Sequence, residues 1–111
     1  MNAEFSPEEV MEMKKNALKT ITPIVEKYAK MMNVIPSGIK ITSARTRYGS
    51  CSGKNSLCFS YLLVQYPIEA IEAVVVHELA HIKHKNHGKR FYSFIYSVMP
   101  DYEKRKKRLK Q

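Results

Sequence analysis

All four histidines of this chain lie between residues 77 and 87, in the segment H-E-L-A-H-I-K-H-K-N-H. The segment contains the pattern H-E-x-x-H, followed six residues later by a further histidine. On a helix, residues i and i+4 share one face, so His77 and His81 can direct their imidazoles at one metal ion. Glu78 lies about 100° further round the helix, where it can accept a proton from water beside the metal. The pattern therefore predicts the chemistry of a zinc hydrolase.

The third metal ligand must come from one of the two remaining histidines. A catalytic zinc needs three protein ligands and one open position. On a straight helix His84 would lie roughly 10 Å along the axis from His77, too far for both to reach one ion. His87 can reach it if the helix ends near His84 and the chain turns back, a turn that the neighbouring Gly88 permits. We predict that His77, His81 and His87 hold one Zn²⁺.

Other interpretations of this segment stay open at the level of sequence. Asp101 or Glu103 could replace His87 as the third ligand. Zinc could instead have a purely structural role in a non-catalytic binding module, in which case the protein would also occupy its fourth coordination position. Asp101 could instead orient a ligand imidazole or cap the final helix. A hydrogen bond to the tetrahedral intermediate could come from one of three tyrosines, Tyr92, Tyr96 or Tyr102.

The histidines must be presented by a helix, and the residues around them have helical periodicity. An apolar stripe recurs at steps of three and four residues, which predicts a helix buried on its back and lining a cleft on its front. The stripe consists of Ile68, Ile71, Val75, Leu79 and Ile82. A second helix is predicted to begin at Ser6, because a Ser cap, a proline and a glutamate follow one another there. Pro23 should kink or split that helix.

The remaining elements are short. Residues 39–42 and 56–62 alternate between apolar and polar side chains and predict strands, and residues 45–52 predict a strand and turn with a bend at Gly49. Residues 89–98 have helical spacing, and a last helix follows Met99-Pro100. The sequence thus predicts one compact α+β domain over residues 1–111, with a long N-terminal helix, a sheet of about three strands, the histidine helix and C-terminal helices.

Three motifs in the same order resemble the YgjP-like metallopeptidase domain, which is related to the SprT-like and WLM zinc proteases. They are V-V-V-H-E-L-A-H-I-K-H-K-N-H-G-K-R-F at residues 74–91, T-R-Y-G-S-C-S at 46–52 and M-P-D-Y at 99–102. The resemblance implies zinc ligands at His77, His81 and His87 and a catalytic base at Glu78. Tyr48 stands where the family usually has tryptophan. By the same resemblance, longer relatives carry an N-terminal β-rich region, and we do not expect such a region within these 111 residues.

Together, the residues and the resemblance predict a zinc metallopeptidase. Water activated by the metal would attack a peptide carbonyl while Glu78 takes the proton and returns it to the leaving amine. A strand edge beside the metal could hold an extended peptide or protein substrate by main-chain pairing, and residues 56–60 are the candidate edge. Arg47 could contact the substrate or the oxyanion, or could form a structural salt bridge.

The positive charge is concentrated after the histidine helix. Residues 1–82 hold 9 basic and 8 acidic side chains, whereas residues 83–111 hold 10 basic and 2 acidic ones. The densest run, residues 104–110, could recruit nucleic acid, which would make the chain a DNA-associated protease of the SprT-like kind. Alternatively, its cations are solvated and complement a helix dipole.

Composition sets the remaining expectations. Two cysteines, Cys51 and Cys58, do not form a disulfide framework. The first five residues lack the features of a signal peptide, and no stretch reaches the length of a membrane span, so we expect a cytoplasmic protein.

Overall fold

The N-terminal helix is the longest element of the fold. In the computed structural model, which describes residues 5–109, α1 spans Pro7–Met32. Its start has the predicted capping box: the Ser6 hydroxyl accepts from the Glu9 backbone N–H at 3.1 Å, and the Glu9 carboxylate accepts from the Ser6 N–H at 2.8 Å. Pro23 lies inside α1 without splitting it. Buried residues on both sides of Pro23, Ile21 and Val25 among them, anchor the two halves in one core.

Three strands form a mixed sheet with the order β1-β3-β2. The strands are β1 (Gly38–Thr42), β2 (Gly49–Cys51) and β3 (Ser56–Ser60). Strand β3 is central, parallel to β1 and antiparallel to β2. The prediction that residues 56–60 form a free edge is therefore wrong, because both sides of β3 are already hydrogen-bonded. The edge beside the histidine helix is β2.

The predicted strand over residues 56–62 is shorter than its alternating pattern suggested. The chain leaves β3 at Ser60, whose hydroxyl accepts from the Leu62 backbone N–H at 3.1 Å and caps a 3₁₀ helix over Tyr61–Gln65. Leu57 and Phe59 are fully buried on the face of β3 that contributes to the core. The apolar residues at 61 and 63 remain in the core as part of the 3₁₀ helix.

The histidine helix lies in the middle of the molecule. Helix α2 spans Ile68–Lys83 and packs against α1, β2 and the C-terminal helices. Its burial extends further round than the predicted stripe, since Ala73 and Val76 are buried as well, while Ile68 at its start is 49% exposed. Two further helices, α3 (Lys89–Val98) and α4 (Tyr102–Lys106), are followed by a 3₁₀ turn over Lys107–Leu109.

This arrangement confirms the predicted α+β class. Helix α2 carries the histidines, β2 runs along one side of it, and α3 and α4 pack behind it. Within residues 5–109, no helix combines the length and the apolar character needed to cross a membrane. The described residues do not include residues 1–4, on which the expectation about a signal peptide rests in part. They also do not include Lys110 of the basic run.

Candidate metal centre and active site

Three imidazoles converge at the C-terminal end of α2. The Nε2 atom of His87 lies 3.0 Å from Nε2 of His81 and 3.4 Å from Nε2 of His77. The candidate ligand atoms of the three residues all lie within 4.8 Å of one another. A tetrahedral zinc with bonds of 2.0–2.1 Å separates its donor atoms by roughly 3.3 Å. The three residues predicted as ligands are therefore spaced so that they could hold one metal ion.

The third histidine reaches the site because α2 ends where the sequence predicted. The last residue of α2 is Lys83, and His84 follows with extended backbone at φ −132° and ψ 103°. The chain then reverses before α3 begins at Lys89. His84 directs its own ring towards Phe94, with the ring centroids 5.7 Å apart. Its side chain thus lies outside the cluster, as predicted from the spacing.

Two hydrogen bonds fix the orientation of the imidazoles on α2. The His84 backbone carbonyl accepts from Nδ1 of His81 at 3.0 Å. Because a carbonyl can only accept, Nδ1 of His81 carries the proton and Nε2 keeps its lone pair for a metal. On the other side, Nδ1 of His77 lies 2.8 Å from the hydroxyl of Tyr102. Partners of this kind raise the affinity of histidine ligands for metal by holding the ring in place.

The imidazoles also rest on an aromatic support. The fully buried ring of Phe91, on α3, lies 4.4 Å from the ring of His81, 4.9 Å from that of His87 and 5.1 Å from that of His77. Burial lowers the pKa of His77 to about 4, and electrostatic interactions with the other two imidazoles and with Lys106 add to the decrease. Burial likewise lowers the pKa of His81. Both rings are thus neutral at pH 7, the state in which an imidazole binds a metal.

Glu78 is a buried carboxylate next to the histidine cluster. Its side chain borders the same cleft as His77, His81 and His87, and the residue is only 7% exposed. Burial raises the pKa of Glu78 to about 7, although the positive charge of Arg47 opposes the increase. A carboxyl group with a pKa near neutrality can both accept and release a proton at physiological pH.

The backbone at Gly49 lies close to the side chain of Glu78. A Cβ atom at position 49 would lie 3.1 Å from the Phe59 ring, 3.2 Å from the Cys58 carbonyl and 3.2 Å from Cγ of Glu78. Contacts this short require the neighbours to move. A glycine at the first position of β2 thus allows the strand to approach the carboxylate, whereas the sequence suggested only a bend there.

The alternative ligands and orienting groups named from the sequence are engaged elsewhere. Asp101 accepts from Nε of Arg105 at 2.9 Å, and it makes no side-chain cap at α4. Glu103 accepts from the hydroxyl of Tyr96 at 2.6 Å. Neither carboxylate belongs to the metal-ligand cluster found among the described residues. The hydroxyl that orients His77 belongs to Tyr102, a residue that the sequence had suggested for the intermediate instead.

The basic C-terminal segment is partly used within the fold. Arg105 donates to the Glu72 carboxylate at 2.7 Å as well as to Asp101. Arg108 lies 3.7 Å from the Glu69 carboxylate, and Lys106 lies 3.9 Å from that of Glu103. These ion pairs attach the segment to α2 or stay within α4. They favour a structural role for Arg105, which is the most buried of these cations.

The chain is similar to proteins of known family and fold. The model of the YgjP-like metallopeptidase domain matches residues 8–111. A curated relative, the UTP pyrophosphatase of Escherichia coli (strain K12), is 28% identical over 94 residues, which cover 82% of this chain and 56% of the relative. The chain therefore spans little more than half the length of that relative.

Two solved structures share the fold. The zymogen of the metallopeptidase abylysin from Pyrococcus abyssi superposes with a TM-score of 0.72 at 17% identity, covering 80% of this chain and 90% of that one. The zymogen of jannalysin from Methanocaldococcus jannaschii gives a TM-score of 0.70 at 24% identity, covering 80% and 92%. At these identities the likeness concerns the fold alone.

Proposed function

The chain belongs to the YgjP-like metallopeptidase family, and on that premise we propose that it is a zinc-dependent peptidase with His77, His81 and His87 as metal ligands and Glu78 as general base. The observation that carries the proposal is the position of a buried carboxylate beside three converging imidazoles. Three imidazoles suit zinc, although such a donor set also accepts other divalent ions of the first transition row.

Glu78 handles the proton in this proposal. A divalent metal bound at the three imidazoles would lower the pKa of water and polarise the substrate carbonyl. Glu78 accepts a proton from water at its carboxylate and later donates it to the amine that leaves. A pKa near 7 suits both steps at neutral pH. Gly49 keeps the carboxylate in place by allowing β2 to approach it.

The edge of β2 is the surface we propose for binding an extended peptide. Gly49, Ser50 and Cys51 line the cleft together with the three histidines. Among residues 5–109, strand β2 pairs only with β3, so its other edge could form main-chain hydrogen bonds with a peptide. Such pairing requires an extended segment, which favours flexible or unfolded protein regions as substrates.

The test is Glu78→Gln in the zinc-loaded protein, assayed on a mixture of fluorogenic peptides. We expect a loss of at least about 10²-fold in kcat, the lower end of what a general base contributes, with the zinc content unchanged. Glu69→Gln is the matched control, because Glu69 is an exposed glutamate on the same helix. Cleavage by Glu78→Gln at the rate of the parent would contradict the proposed role. If the parent cleaved nothing and zinc removal unfolded it, the protein would be a zinc-stapled binding module.

A second candidate function is hydrolysis of a nucleoside triphosphate, suggested by the name of the E. coli relative. Lys85 borders the metal cleft, and Arg47 lies close enough to affect the ionisation of Glu78. Both cations could meet phosphate oxygens. The same zinc-loaded preparation incubated with UTP separates the candidates: release of UMP and pyrophosphate, lost in Glu78→Gln and kept in Glu69→Gln, favours this function, whereas peptide cleavage without nucleotide turnover excludes it.

Recruitment by nucleic acid is the remaining variant of the peptidase proposal. Lys104 and Lys107 are exposed and lie beside the paired basic residues of the C-terminal segment. If they contact DNA, duplex DNA will stimulate peptide cleavage, and the stimulation will fall steeply as salt is raised from 50 to 200 mM, the range over which such contacts weaken. If the rate of peptide cleavage did not change when DNA is added, recruitment by nucleic acid would be excluded and the peptidase proposal would stand.

A further inference from the structure

A second cavity adjoins the metal cleft. It has a volume of about 460 Å³ and shares Gly49, His77 and Glu78 with the cleft. A volume of this size lies within the range of small-ligand pockets. A group that occupied the cavity would therefore touch the proposed general base and one proposed metal ligand at the same time.

The walls of this cavity are mostly apolar. Ala73 and Val74, one helical turn before His77, line it together with Tyr48 and Leu109. The Tyr48 hydroxyl donates to the Leu109 backbone carbonyl at 2.8 Å, so the wall is held in place by a contact between two distant parts of the chain. Since Ala73 has the smallest side chain among these residues, it leaves the room that a substrate side chain would fill.

One cation borders this apolar space. Lys106 is the only positively charged side chain among the described residues that line the cavity. Its ammonium lies 5.6 Å from the centre of the Tyr102 ring. It also lies 3.9 Å from the Glu103 carboxylate, a long distance for an ion pair, and both side chains are partly exposed. An anionic group on an otherwise apolar ligand would meet this ammonium.

We propose that the cavity binds the C-terminal residue of a peptide substrate, with an apolar side chain over Ala73 and the free α-carboxylate at Lys106. The inference rests on the proposed peptidase function and gives it a substrate class. In the reaction, water supplies OH to the carbonyl carbon and H to the amide nitrogen, the C–N bond breaks, and the C-terminal amino acid leaves. The cavity would thus favour removal of single apolar residues from the carboxyl end.

Paired peptides test both parts of the proposal. The peptides share one sequence apart from the last residue, which is leucine, phenylalanine or glycine. Each peptide is made in two forms, one with a free C-terminal carboxylate and one with a C-terminal amide. For the zinc-loaded parent we expect kcat/KM for leucine acid to exceed that for glycine acid by at least about tenfold, since burial of each methylene is worth about that much or more. We expect leucine acid to exceed leucine amide by at least about tenfold, as a charged contact at the site implies.

Substitutions should separate the two preferences. Ala73→Leu fills the cavity and should abolish the preference for leucine over glycine. Lys106→Met should abolish the preference for acid over amide, whereas Lys104→Met, at an exposed lysine on the same helix, should keep both. Should Ala73→Leu not fold, Val74→Ala enlarges the same cavity and should shift the preference from leucine towards phenylalanine. Equal selectivity in the parent and in the lining variants would overturn the proposal.

A binding measurement separates failure of this inference from failure of the peptidase proposal. N-Acetyl-leucine should bind the zinc-loaded parent in calorimetry, and N-acetyl-leucine amide should bind at least about tenfold more weakly. Ala73→Leu and Lys106→Met should each weaken the binding of the acid. If these results appear without any peptide cleavage, the cavity binds its ligand and the peptidase proposal is wrong. If peptides are cleaved and N-acetyl-leucine does not bind, the inference about the cavity is wrong and the peptidase proposal stands.

Discussion

In the metal-free protein, ionisation of the buried carboxylate of Glu78 should lower the free energy of unfolding. Comparison with Glu78→Gln should measure the size of this effect. The pKa of this group rises from an ordinary value of 4.5 to about 7 on folding because burial disfavours its charge. Between those two values the folded state binds more protons than the unfolded state. The free energy of unfolding therefore decreases as pH rises through this range.

The magnitude follows from the two pKa values. A tenfold change in proton affinity corresponds to about 1.4 kcal/mol, so the Glu78 contribution between pH 5 and pH 8 is about 2–3 kcal/mol. Glu78→Gln cannot ionise and lacks this contribution. His77 changes the stability in the opposite direction. Its pKa falls from 6.5 to about 4 on folding, so the free energy of unfolding increases as the pH rises between those two values. That contribution is common to both proteins and cancels in their difference.

Urea unfolding of the metal-free proteins, held with a chelator at pH 5 and at pH 8, measures this difference. We expect Glu78→Gln to gain about 2–3 kcal/mol relative to the parent when the pH is raised. Any effect of burying the glutamine amide is a constant offset and does not alter that change. If the two proteins kept a constant difference in stability across this range, the raised pKa of Glu78, and with it the argument that this group exchanges protons near neutral pH, would be refuted.

Three further predictions concern the residues that support the site. Tyr102→Phe removes the hydroxyl that lies 2.8 Å from Nδ1 of His77 and should weaken zinc binding by about 10–100-fold, measured by competition with a chromogenic chelator. An unchanged zinc affinity would show that this contact does not orient the ring. Gly49→Ala should lower kcat by displacing Glu78 while zinc affinity stays near that of the parent, and equal kcat would show that the contact is relieved elsewhere. Ser6→Ala should lower the free energy of unfolding by about 1 kcal/mol through loss of the helix cap, and an unchanged urea midpoint would contradict that role.

Features that depend on neighbouring residues were predictable from the sequence. The capping box at Ser6 is set by residues three apart, and the spacing of His77, His81 and His87 already required a helix that ends before the third histidine. The exclusion of the His84 ring from the cluster followed from the same geometry. The capping box and the end of α2 needed only helix periodicity and turn chemistry, and the structure shows both.

Features that depend on pairing between distant segments were not predictable in this way. The alternating pattern of residues 56–60 indicates a strand, but which strand lies at the edge depends on how three strands pair, and β3 proved to be central. Similarly, the partner of His77 comes from 25 residues downstream. Asp101 and Tyr102 are adjacent in sequence, and only the packing of α4 on α2 selects the tyrosine for this contact.

We propose that three histidines and no acidic residue bind the metal, which leaves one coordination position for substrate. The most direct measurement is zinc X-ray absorption on the reconstituted parent, compared with His87→Ala and with His84→Ala as the matched control. We expect three imidazole ligands and one further light-atom ligand in the parent and in His84→Ala. In His87→Ala we expect the loss of one imidazole ligand and weaker zinc binding. An unchanged zinc environment in His87→Ala, or a fourth protein ligand in the parent, would contradict it.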